Sequence, residues 1–192
     1  MSRTNHATHQ TGTSMDSRQG NATTHSLIPT GFAANPSRMS KRLPLAVLAL
    51  GGALVALYLT LYQVDVIGAV WEPFFGDGSR KILDSSLARS LPVPDAALGV
   101  VAYLAEIVLD LIGGEDRWHR RPAITLAFGA LVLGMAAGSI GLVLLQAFYF
   151  RAFCTLCLVS AGISLVIAAL ALGEPLASLR FLRERHAETT ST

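Results

Sequence analysis

From residue 43 onward the chain alternates between long apolar runs and shorter polar connectors, a pattern that predicts an all-α membrane protein. The first run, Leu43 to about Val64, holds about the twenty residues that a helix needs to cross a hydrocarbon core of roughly 30 Å. It is too long for a signal-peptide core and no small-residue cleavage pattern follows it, so it reads as a retained transmembrane helix. A second run extends from Asp95 to about Ile112 and a third from about Ala123 to Phe150. The fourth follows the turn at 149–153 and reaches about Leu172, where Gly173-Glu174-Pro175 stops it. The expectation is a four-transmembrane-helix bundle over residues 43–175, flanked by a disordered tail (1–42) and a C-terminal tail (176–192).

The polar segments are unequal. Residues 65–94 bring in Asp65, Glu72, Asp77 and Asp84 together with Pro73, Gly76, Gly78, Pro92 and Pro94, a turn-forming composition. Within it, Lys81 to Ser90 suits a short amphipathic helix at the membrane surface, so this loop is expected to be ordered. The connector from Gly113 to Pro122 is short and basic, with Trp118 suited to the interface. Arg180, Arg183 and Arg185 in the C-terminal tail suit a short surface helix. His6, His9 and His25 are too scattered for a metal site.

Composition strengthens the membrane reading: 52% of residues are hydrophobic and only 15% charged. A formal net charge of +2 gives no reason to expect nucleic acid as a partner. Placement of the basic residues is more informative than their sum. The tails and the 113–122 connector carry 11 Lys and Arg, against 4 (Arg80, Lys81, Arg89 and Arg151) in the long loop and the last turn. That asymmetry places both termini in the cytoplasm of a multi-pass protein of the cell (inner or cytoplasmic) membrane.

The chain has two cysteines, Cys154 and Cys157, three residues apart where the fourth run begins. On a helix, positions i and i+3 share a face and lie close enough for one disulfide. The orientation above puts them at the extracytoplasmic end, where disulfides persist. Cys154, at a helix N-terminus with Arg151 just upstream, is the natural exchange thiol, and Cys157, a turn deeper, is better placed to meet a hydrophobic acceptor. The competing reading is that both are small apolar residues of a membrane helix. Zinc is disfavoured because no further ligand pair lies near.

Other positions ask for an explanation too. Glu106 and Asp110 fall in the second run, where a carboxylate is expensive unless it meets protein, water or the interface. Asp110 is expected at the interface, and Glu106 is either a buried structural acid or a proton-handling group. Gly134, Gly138 and Gly141 form a small-residue face suited to close helix packing, within the chain or in a homodimer.

Taken in order, these residues resemble the bacterial branch of the vitamin K epoxide reductase family, membrane thiol oxidoreductases with four helices. The resemblance covers roughly Tyr58 to Ala171 and rests on Tyr58-Leu59-Thr60, Phe75-Gly76-Asp77-Gly78-Ser79, Ile82-Leu83-Asp84-Ser85-Ser86, Pro92-Val93-Pro94, Ala97 to Tyr103 and Cys154-Thr155-Leu156-Cys157 with Ser160-Ala161. It implies a quinone, of menaquinone or ubiquinone type, cupped by the bundle and capped by the loop. Cys154 and Cys157 would be the catalytic pair, and Cys157, Asp95, Leu98, Tyr103 and Ala161 would line the quinone site. Asp95 falls where animal members place a quinone-binding asparagine. An ionised carboxylate cannot donate that hydrogen bond, so a helix N-cap suits it better.

The resemblance also exposes a departure. Family members usually carry two loop cysteines that relay electrons from a thioredoxin-like protein. Here the second position is Arg80 and the first falls at Trp71 or Glu72. Three functions stay open: a quinone-linked oxidoreductase in which Cys154 exchanges directly with an extracytoplasmic thiol partner, a redox sensor or disulfide clamp, and a non-catalytic quinone-binding scaffold of a membrane complex. No glycine-rich nucleotide loop supports NADH as the donor.

Overall fold

The computed structural model describes residue 35 and residues 37–85 and 94–190, apart from the side chains of 118, 119 and 184–190. Most of the tail expected over 1–42, the Pro92 end of the loop and the side chain of Trp118 therefore lie outside the described residues. All regular structure among the described residues is helical. The order is α1 (Met39–Gln63), α2 (Gly78–Leu83), α3 (Asp95–Leu111), α4 (Arg117–Arg120), α5 (Pro122–Leu144), α6 (Thr155–Ala171) and α7 (Gly173–Thr190). α5 continues into a π-helical segment, Leu145–Phe150, and Arg151, in the left-handed region at φ 48°, lets the chain double back.

α1, with 25 residues, and the continuous helix Pro122–Phe150, with 29, are long and apolar enough to cross a membrane. α6 and the first part of α7, to Arg183, form a third candidate span bent by 40°. α3 and α6 have 17 residues each, about 25 Å at 1.5 Å per residue, the lower end of what spans a bilayer.

The packing is inverted relative to a soluble domain. On α1, Ala46, Ala49, Gly52, Ala53 and Ala56 are buried while Leu43, Val47, Leu50, Leu54 and Leu57 are exposed. That small-residue stripe lets α1 pack closely on α3, and at Gly52 any Cβ would overlap the ring of Tyr103. The shared core joins Tyr103 of α3 with Phe128 and Val132 of α5 and Ile167, Ala168 and Ala171 of α6.

One end of the bundle is closed by two buried arginines. Arg42 donates to the carbonyls of Asp110, Ile112 and Gly113, and Arg117 to those of Leu109, Asp110 and Ile112. Together they satisfy the last carbonyls of α3 and lie at the negative end of its dipole. Arg117 also makes a two-pronged ion pair with Glu174 of α7, which accepts a hydrogen bond from Ser37 at 2.5 Å. Arg117 lies 5.5 Å from the centre of the Phe128 ring.

Four sequence expectations change here. Asp110 is 1% exposed, inside this cluster and not at an interface with water. A loop helix is described at Gly78–Leu83 and starts ahead of the Lys81 expected; residues 86–90 of the expected 81–90 helix lie outside the described residues. Helix α7 begins directly at Gly173, with Glu174, Ala177 and Ser178 buried. Gly134, Gly138 and Gly141 have no atom of the described residues within 4 Å of a Cβ position, so they make no close helix contact there.

Candidate functional site

At the opposite end, α6 starts under the loop. Cys154 is its N-cap residue, with extended backbone angles (φ −110°, ψ 116°), and is bonded to Cys157, the Cα atoms 5.2 Å apart. Cys154 Sγ accepts the Cys157 N–H at 3.2 Å, so the disulfide sulfur also caps the helix. The Cys154 N–H goes to Gln146 Oε1 at 3.1 Å, and Gln146, 3% exposed, sits in the π-helical segment that brings its amide beneath the turn.

Glu72 supplies the remaining cap. Its carboxylate accepts from the Thr155 N–H at 3.0 Å and from the Thr155 hydroxyl, and also from Ser79 Oγ and from the Phe75 N–H at 3.3 Å. One side chain thus ties the loop and α2 to the helix that carries the disulfide. Partial burial works to raise the Glu72 pKa, but the hydrogen bonds from Ser79, Thr155 and Phe75 outweigh it and hold the carboxyl below its ordinary value. The loop packs tightly: a Cβ at Gly78 would overlap the Phe153 carbonyl, and the rings of Phe75 and Phe153 are 5.4 Å apart.

The two sulfurs meet different surroundings. Cys154 is 0% exposed, in an apolar cluster with Leu59 and Tyr62 of α1 and Ile82 and Leu83 of α2. The outward-facing exchange thiol expected from the sequence is therefore covered by the loop. Cys157 opens sideways onto a cavity of about 630 Å³ between α1, α3, α5 and α6. Every residue singled out for a quinone site lines it: Asp95, Leu98 and Tyr103 from α3, Cys157 and Ala161 from α6. Gly134 and Gly138 of α5 line it too, which accounts for the open space in front of them.

The cavity wall is mostly apolar with a few polar groups. The Tyr103 hydroxyl donates to the Ser160 carbonyl at 2.8 Å and lies 3.1 Å from Ser160 Oγ. Asp95 is the first residue of α3, one place inside the N-cap Pro94, which corrects the N-cap expected for it. Its carboxylate still satisfies a first-turn donor, the Ala96 N–H at 2.9 Å, and accepts from the Gln63 side-chain amide of α1. Gln63 Oε1 in turn accepts the Ala96 N–H at 3.2 Å, so α1 and α3 are joined at this end by a single amide.

Glu72, Gln146 and Gln63 complete the site, and no sequence motif points directly to their roles. A lone glutamine in an otherwise apolar run was the available signal for Gln146, and the position facing a missing cysteine was the one for Glu72.

Helices throughout the described residues, two of them of membrane length, with a disulfide at a helix N-terminus and an apolar cavity beside it, have the architecture of a membrane thiol protein. The chain matches the vitamin K epoxide reductase family over residues 43–172 and belongs to it. Members of that family are oxidoreductases, which sets this chain in the same class. Comparison with curated proteins gives no match.

Proposed function

We propose that the protein is an integral membrane thiol-disulfide oxidoreductase that moves electrons between an extracytoplasmic dithiol and a membrane quinone through Cys154 and Cys157. The observation that carries this reading is the position of Cys157, bonded to a cysteine at the loop end and facing an apolar cavity on its other side. About 630 Å³ suits a quinone ring and the start of its tail, and apolar walls with a few polar groups are how such ligands are held. Ser160 Oγ is the neutral group free to donate to a ring carbonyl, held in place by the Tyr103 hydroxyl, which donates to the Ser160 carbonyl; Asp95, committed to Ala96 and Gln63, acts as a helix clamp.

In this reading α1, α3, α5 and α6 all cross the bilayer. Exposed Leu98, Val101, Leu104 and Val108 on α3, and Val159, Leu165, Val166 and Leu170 on α6, present the same lipid-compatible surface as α1. The arginine-closed end lies in the cytoplasm, in keeping with the distribution of Lys and Arg.

The chemistry follows from the two environments. A partner thiolate attacks Cys154 and displaces Cys157, and resolution of the mixed disulfide leaves the chain as a dithiol. Re-forming the Cys154–Cys157 bond releases two electrons next to the cavity. Because Cys154 is covered, the loop held by Glu72 must lift for exchange, and it shields the pair between turnovers.

That burial also favours a second reading, a sealed disulfide that clamps or senses without turnover. Purified protein offered a dithiol and a short-chain benzoquinone separates the two. The oxidoreductase reduces the quinone, and Cys154→Ser and Cys157→Ser each abolish the reaction. A clamp shows no turnover and loses only stability when the cysteines are replaced.

A further inference from the structure

We infer that Glu106 and Asp110 form a proton-delivery site that supplies the cavity from the arginine-closed end of the bundle. The inference rests on the quinone reading above and adds the route of the protons.

On the side away from the disulfide the cavity wall ends at Tyr103 on α3, Ala130 on α5 and Ala161 on α6. Between that floor and the arginines the core turns polar, with Glu106 and Asp110 on α3, Thr125 on α5 and Ser164 on α6, none more than 3% exposed. Every buried side-chain oxygen or nitrogen that lacks a hydrogen-bond partner among the described residues falls here: Glu106 Oε1, both Asp110 carboxylate oxygens, Thr125 Oγ1 and Ser164 Oγ. Each such group costs about 1–3 kcal/mol, so stability alone does not explain four such residues between the cavity and the arginines.

The arginines relieve the cost at Asp110 only in part, by charge and without a hydrogen bond, and Glu106 has no arginine beside it. Arg42 and Arg117 spend their hydrogen bonds on α3 carbonyls and Glu174, and come only to 3.9 and 3.8 Å from Asp110 Oδ1. The charged groups facing the pair are thus Arg42 from α1, Arg117 from α4 and Glu174 from α7. On the cavity side the next polar group on the helix is Tyr103. Positions 103, 106 and 110 share one buried face and span about 10 Å along the axis, reaching from the arginine cluster to the cavity wall. Ser164 sits one turn beyond Ser160, the hydrogen-bond partner of Tyr103, and gives α6 a matching hydroxyl.

The electron and proton balance defines the step. Exchange with the external dithiol oxidises it to a disulfide and leaves Cys154 and Cys157 as a dithiol, whose own two protons leave at the Cys154 end when it is reoxidised. As the Cys154–Cys157 bond re-forms, its two electrons pass to the quinone. The two protons that complete the quinol enter through Asp110 and Glu106, past the Tyr103 hydroxyl. Glu106 is the donor nearest the cavity, and Asp110 reloads it.

The test is single-turnover oxidation of the reduced, full-length protein by a short-chain benzoquinone, with disulfide formation read by thiol tagging across a pH series. General-acid groups contribute on the order of 10²–10⁴ in rate, so Glu106→Gln should slow oxidation roughly a hundredfold and flatten its pH profile. Glu106→Asp should keep much of the rate. Oxidation by diamide, which takes up no protons in the cavity, should match the wild type. Infrared difference spectra between dithiol and disulfide forms should show a carboxyl band that Glu106→Gln removes. A wild type that reduces the quinone, with Glu106→Gln retaining its rate and pH profile, overturns the relay alone. A wild type inert to the quinone overturns the quinone reading and the relay with it. If Glu106→Gln fails with diamide too, Asp110→Asn carries the same prediction, and a wild-type rate there is equally fatal.

Discussion

The two ends of the bundle are built on opposite plans. At one end Arg42 and Arg117 bind several backbone carbonyls of α3 and a buried carboxylate of α7, joining α1, α3, α4 and α7 through many bonds. At the other, one partly buried carboxylate, Glu72, bonds the loop to α6, helped by apolar packing of Phe75 on Phe153 and of Ile82 and Leu83 around the disulfide. The first arrangement cannot open without stranding charge in the core; the second opens when one side chain lets go and an apolar contact parts. The difference assigns rigidity to the arginine end and access to the cysteine end.

The comparison breaks most visibly at Arg117. Arg117→Ala leaves Glu174 buried without its partner, and about 3–5 kcal/mol of stability should be lost, read as a drop in thermal unfolding temperature in detergent. A smaller loss is expected at Gly52, where Gly52→Val pushes a side chain into the Tyr103 ring at a cost of about 1–3 kcal/mol and displaces the cavity wall. Weaker binding of a short-chain benzoquinone, alongside a modest fall in melting temperature, checks it.

At the cysteine end effects should appear in access before stability. Glu72→Ala removes a helix cap worth about 1 kcal/mol, so alkylation of reduced Cys154 by a polar maleimide should rise roughly fivefold with little change in melting temperature. The pH response has a definite sign. Because the folded Glu72 pKa lies below its ordinary value, the clamp is in full force above that value, 4.5, and is lost only as pH falls through the lowered pKa. Labelling at a fixed thiolate fraction should therefore stay flat from neutral into mild acid and rise below it, and Glu72→Gln should abolish the rise. The smallest effect on melting temperature is expected from Tyr103→Phe, which forfeits one hydrogen bond to Ser160 worth about 0.5–1.5 kcal/mol.

How legible all this was depends on the range of the interactions. Apolar run lengths carried the positions of α1, α3, α5 and α6, since these are set by each segment's own composition, and the Cys154–Cys157 spacing carried the disulfide. The residues quoted for a quinone site converge on one cavity because they lie on neighbouring faces of α3 and α6. What escaped depended on distant partners. Glu72 meets Thr155 across 83 positions and Arg117 meets Glu174 across 57, and neither separation leaves a periodic trace. Gly134 and Gly138 of α5 fit a packing face by spacing alone, which cannot distinguish a surface that touches a helix from one that borders a cavity.

The most direct test of electron flow through the pair is the redox state of Cys154 and Cys157 in membranes, fixed by acid quench and read by thiol-specific mass tagging, with quinone present, depleted and restored. The account predicts a disulfide that becomes a dithiol on depletion and returns when quinone is added back. A pair that holds one state through all three conditions would contradict it.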